Sequence, residues 1–154
     1  MAQIHNNFWQ RNKYKLNGLF LILPFYFLYT MLTPEFPDSL KAQKIGRFEV
    51  APMPYNLDPP YIHEGHYIKD FALTFSEGNI KDIRQAYLNI GNKPLPIATL
   101  ELSGEGILHG SQHGQEVHAI APKVFKKEHK IWLTIQDWQG KELTISWDLP
   151  QTLL

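Results

Sequence analysis

The chain has 154 residues, with 15 basic and 15 acidic side chains, 7 histidines and no cysteine, which is room for one ordinary domain plus an appendage. The missing cysteines exclude disulfides, thiolate metal sites, cysteine nucleophiles and a lipidated cysteine anchor. Arg11, Lys13 and Lys15 carry all the charge ahead of Glu35, leaving 12 basic against 15 acidic residues from Glu35 onward; that mildly acidic remainder, with one small basic cluster at Lys123, Lys126, Lys127 and Lys130, argues against nucleic acid as a partner.

In chain order, residues 1–15 form a basic tail. Residues 16–34 follow without a charge and are dense in Leu, Phe, Ile and Tyr. At about 1.5 Å per residue they approach the roughly 30 Å of a hydrocarbon core, so they predict one transmembrane helix with a kink at Pro24. The residues around Thr30 to Thr33 contain no small-residue cleavage site, which favours an uncleaved anchor over a signal peptide. Basic residues precede the span and none follows until Lys41; the positive-inside rule therefore puts the N-terminus in the cytoplasm and the bulk of the chain on the other side.

Residues 35–60 read as a proline-rich linker with a first strand near Arg47 to Val50, after a possible helical turn over residues 40–44. The prolines at 52, 54, 59 and 60 predict an irregular segment across the domain surface. Residues 61–154 then form the domain proper. Tyr67, Phe71, Leu73 and Phe75 fall in a period of two, as a half-buried strand requires. Residues 84–90 and 95–102 read as strands joined by a tight turn at Gly91 and Asn92, although Ile80, Ile83, Tyr87 and Ile90 also fit a helical period. The clearest local signal is a hairpin: Ile131, Leu133 and Ile135, a turn near Gly140, then Leu143, Ile145, Trp147 and Leu149. Short strands with no long helix between them predict an all-β fold, an Ig-like β-sandwich preceded by a single N-terminal transmembrane helix.

Chemistry concentrates in histidines. His63 and His66 flank Glu64 and Gly65, while His109, His113 and His118 lie in a glycine-bearing stretch expected to be a loop. Neutral imidazole suits Zn(II) or Cu(II), and two loops at one end of a sandwich could bring these five side chains around one ion. A lone Met53 beyond the anchor disfavours a thioether Cu(I) site. His129 reads as part of a charged turn, and Trp132, Trp138 and Trp147 as core or edge residues. There is no nucleophile elbow, P-loop or dinucleotide fingerprint, so no catalytic residue is assigned and a non-enzymatic role is expected.

Residues 83–149 carry a strand, a turn from Gly91 to Pro94, a His-Gly stretch (His109, Gly110, His113, Gly114), Pro122 and a terminal hairpin around Gly140. This layout resembles the YtkA-like or FixH-like domain of small anchored bacterial proteins, with Ile107 and Leu108 where that family often has Met-Pro. The resemblance implies an Ig-like domain on the periplasmic face of the bacterial inner membrane, concerned with metal handling or with assembly of membrane cuproenzymes. Two functions are therefore expected in competition. One is a Cu/Zn-binding or trafficking domain serving a membrane-protein partner; the other is a metal-free assembly module that docks through a sheet edge or through residues 52–60.

Overall fold

The computed structural model describes residues 8–111 and 114–154, with the backbone alone for residues 8–11 and 16. The chain divides into an N-terminal unit ending at Glu35 and a β-domain, Phe36–Leu154. In the first unit, helix α1 (Phe8–Leu32) contains the stretch Asn12–Leu32, which is long and apolar enough to cross a membrane. None of that stretch is buried against protein. The helix continues through Pro24. Near its end the hydroxyls of Thr30 and Thr33 donate to the carbonyls of Phe27 and Tyr29, so these polar groups are satisfied by the helix's own backbone.

The β-domain begins with β1 (Gln43–Ile45), β2 (Phe48–Pro54), β3 (Tyr61–His63) and β4 (His66–Glu77). Strand β5 (Ile83–Gly91) leads to a short helix α2 (Ile97–Ser103), then β6 (His109–Ser111) and β7 (Gly114–Ile120). Strands β8 (Lys130–Asp137) and β9 (Glu142–Asp148) close the chain. Hydrogen bonding links them in the order β1-β2-β4-β7-β5-β8-β9, with β3 on β4 and β6 on β7. All pairings are antiparallel except β5 with β7, which share a single parallel pair, Asn89 with Ile120.

That weak seam divides the sheet into two halves facing one core. Val50, Phe71, Leu73, Val117 and Ala119 come from one half; Leu88, Ile90, Ile131, Leu133, Ile135 and Trp147 come from the other. The alternating burial along β2 is what a strand with one face on a core produces. Residues 106–108 fill the seam: Gly106 N–H donates to His118 O, Leu88 N–H to Gly106 O, and Leu108 N–H to Ala86 O. Gly106 has φ +83°, and a Cβ there would lie 3.1 Å from Leu88 O, so the close approach needs glycine. At the far edges Gln43 Nε2 donates to Ser146 O at 3.2 Å. The sheet is therefore nearly closed into a barrel.

The all-β class, the preceding helix and the terminal hairpin are as expected, the hairpin pairing Ile131 with Trp147 and Leu133 with Ile145. Other local expectations are corrected. Pro52 and Pro54 belong to β2, because its pairing with β4 tolerates residues that lack an N–H at alternate positions. Residues 43–45 are a strand and not part of a helical turn. Residues 97–103 form α2: Ile97 and Leu100, three apart, are buried together, and Gly104 ends the helix at φ +72° in the left-handed region. The partner of β5 is accordingly β8, with Leu88 opposite Leu133.

Candidate functional site

The site is set by strand parity. On β4 and β7, Phe71, Leu73, Val117 and Ala119 point into the core, so Asp70, Glu116 and His118 between them stand on the opposite face. Register then makes neighbours of them: Asp70 lies across from His118, and His109 on β6 across from Glu116. The β3–β4 hairpin turns on Glu64 and Gly65, both at positive φ (46° and 85°), a geometry that matches the twist of the strands. It places His63 directly across from His66. The histidines expected in loops at 109 and 118 are thus held on strands.

Three imidazoles stand in a row with His118 in the middle. Its ring centroid is 5.9 Å from that of His63, nearly parallel, and 5.6 Å from that of His109. Each has its own carboxylate. His63 Nδ1 meets Glu105 Oε1 at 2.6 Å, His118 Nδ1 meets Asp70 Oδ1 at 2.6 Å, and His109 Nε2 is 3.4 Å from Glu116 Oε1. Two tyrosines extend the network: Tyr61 donates to both oxygens of Asp70, and Tyr55 donates to Glu116 Oε2 at 2.9 Å.

Glu105 is buried while its partner His63 is about half exposed. It is delivered there by the seam, since Gly106 is bonded to the carbonyl of His118. Its hydrogen bond to His63 raises that imidazole above its ordinary pKa, against the opposing effect of desolvation. Tyr61 and Tyr55 are raised by partial burial and further by donating to Asp70 and Glu116. Gly110 stands at φ +134° against the backbone of Gly114, so a side chain there would push β6 away from β7.

Of the five expected ligands, His63, His109 and His118 are brought together. His66 shares their face through its register with His63 but joins neither the ring row nor a carboxylate among the described residues. His113 lies outside the described residues. His129 is elsewhere: it is buried, and its Nδ1 accepts the Lys126 N–H at 3.2 Å to close its own turn. Trp132, Trp138 and Trp147 are structural, with indole N–H groups donating to the carbonyls of Gly91, Lys81 and Lys41. Asp70, Glu105, Tyr55 and Tyr61 were not singled out in the sequence. Parity alone could have placed Asp70 on the His66 face, but nothing local marks Glu105, 42 residues from its partner.

A transition ion bound by imidazole sits about 2.0–2.1 Å from nitrogen, so two rings sharing an ion have centroids roughly 5–6 Å apart. The His63–His118 and His118–His109 spacings fit. A carboxylate on Nδ1 holds the other ring nitrogen, Nε2, in the lone-pair form a metal needs, and this applies to both His63 and His118. The ring directions do not yet fit: among the described residues no three His, Asp or Glu side chains converge on one point.

Helix, fold and site together define a class: a β-domain behind a membrane-length helix, carrying a row of carboxylate-paired histidines on one sheet face. The chain belongs to the family described as uncharacterised conserved protein UCP029505, which matches residues 8–150 and so takes in both the helix and the domain. No curated protein and no solved structure matches it.

Proposed function

We propose that this protein is a membrane-anchored, non-enzymatic domain that binds one Cu(II) or Zn(II) ion through His63, His118 and His109 and presents it to a membrane-protein partner. In this reading α1 stays in the bacterial inner membrane and the β-domain works in the periplasm, as the basic residues ahead of the span favour. The observation that carries it is the row of three adjacent imidazoles, each with a separate carboxylate. Paired carboxylates of this kind orient metal-ligating histidines and raise their basicity. His66 and His113 are the candidates for completing the coordination.

The test is a Zn(II) and Cu(II) titration of the full-length protein in detergent, read by competition with a chromophoric chelator. One equivalent should bind, and the double variant His63→Ala/His118→Ala should abolish it. Equal binding by that variant, with its fold intact by circular dichroism, refutes the assignment.

A further inference from the structure

Two adjoining grooves open at the end of the β-domain where β8 begins and β9 ends. One, of about 300 Å³, is lined by Leu57, Pro59, Pro60, Lys123 and Val124 among others. The second, of about 430 Å³, includes Phe36, Pro37 and Asp38 and shares Leu57 with the first. Their rims carry apolar side chains that water should not favour: Val124 is 64% exposed, Phe36 58% and Leu57 49%. Contiguous exposed apolar surface of this kind marks an interaction site.

Two features choose the occupant. Phe36 follows Leu32 by only four residues, so at about 3.5 Å per residue it lies within about 14 Å of the end of α1. Beside Val124 stand Lys123, Lys126 and Lys127, all exposed; within that loop the one opposing charge is Glu128, 3.9 Å from Lys126. Apolar side chains with lysines along one side, on a short tether, match the interface of an anionic bilayer. Asp38 sits in the second groove, which leaves the headgroups to the Lys123 side.

We infer that this end of the domain docks on the bilayer that holds α1, with Val124 and Leu57 entering the interface and Lys123, Lys126 and Lys127 meeting anionic phospholipid headgroups. The inference rests on the anchoring role of α1 and is independent of any metal. It would fix the domain against the membrane surface and leave the hairpin turn at Gly140, beyond the opposite end of β8, in water.

The chain has no cysteine, so one nitroxide label can be placed on V124C and, as a control, on Q139C in the full-length protein. Each is reconstituted at one copy per nanodisc of phosphatidylcholine, with or without phosphatidylglycerol. In anionic discs V124C should be shielded from a water-soluble nickel relaxant and open to oxygen, while Q139C stays aqueous. A lysine near an anionic leaflet shifts such an equilibrium about fivefold, so K123E/K126E/K127E should shift it by about a hundredfold or more and expose V124C. Aqueous V124C in anionic discs overturns the inference, as does shielding that neutral lipid gives equally. Shielding that appears only with two copies per disc overturns it in favour of self-association. Alkaline extraction separates the two layers: a chain released from the lipid refutes the anchor, whereas an integral chain with aqueous V124C refutes only the docking.

Discussion

Asp70→Asn is the most informative single change, because it separates the metal reading from ordinary stability. Asp70 Oδ1 accepts a hydrogen bond from His118 Nδ1 at 2.6 Å, and both its oxygens accept from Tyr61. Asparagine preserves the shape, so the amide oxygen still accepts from His118. The amide nitrogen then faces the tyrosine hydroxyl, which can turn to accept instead. What is lost is the negative charge that holds the central imidazole in its orientation and tautomer. Loss of such an outer partner costs about 10–100-fold in metal affinity, or about 1.4–2.7 kcal/mol. The fold should lose less, about 1 kcal/mol, since the hydrogen bonds to Tyr61 are exposed and exchange for water. Chelator competition for Zn(II) measures the first quantity and urea unfolding of the metal-free protein in detergent the second. Unchanged affinity in Asp70→Asn, with the parent binding one ion, refutes a metal held through His118.

Further outcomes follow from other groups. Glu105→Gln should return the His63 imidazole toward its ordinary value near 6.5, followed by its NMR titration; the raised folded-state pKa means the pair's stabilisation is complete below the unfolded value and fades as pH rises through the folded one, so the variant should flatten that fall. An unshifted His63 titration would show that the hydrogen bond is not its cause. Lys69 is 2% exposed and held by Asn56 Oδ1 and the carbonyl of Asp58. Asn56→Ala should therefore cost about 1–3 kcal/mol by removing one of the buried ammonium's two acceptors, whereas adding Lys69→Met should recover that loss, both read by urea midpoint. Burial also lowers the Lys69 pKa, so stability should rise with pH as it approaches the unfolded value near 10.5, and this rise should vanish in Lys69→Met. Leu133→Ala, fully buried at the centre of β8, should cost about 2–5 kcal/mol. Leu102→Ala, on a side chain 90% exposed, should stay within about 0.5 kcal/mol; a large loss there would place Leu102 in an interface.

The membrane-length helix and the terminal hairpin were legible because each is written in consecutive residues: an uncharged run of sufficient length, and a period of two broken by a glycine turn. The histidines were legible as a group for their residue type. What parity could not supply was register across the sheet, and register is what sets Asp70 opposite His118, more than forty residues apart. Residues 95–102 misled because Leu95, Ile97 and Leu100 satisfy short windows of either period; packing of Ile97 and Leu100 against Tyr87 chose the helix. The same helix and the glycine after it carry the chain into the seam, and so put Glu105 beside His63. Local sequence thus determined that the first segment is long and apolar enough to cross a membrane and that the last two form a hairpin, since those preferences act within a few residues. The carboxylate for each imidazole was decided only when distant strands closed around a common core, because pairing energy depends on neighbours the local sequence does not name.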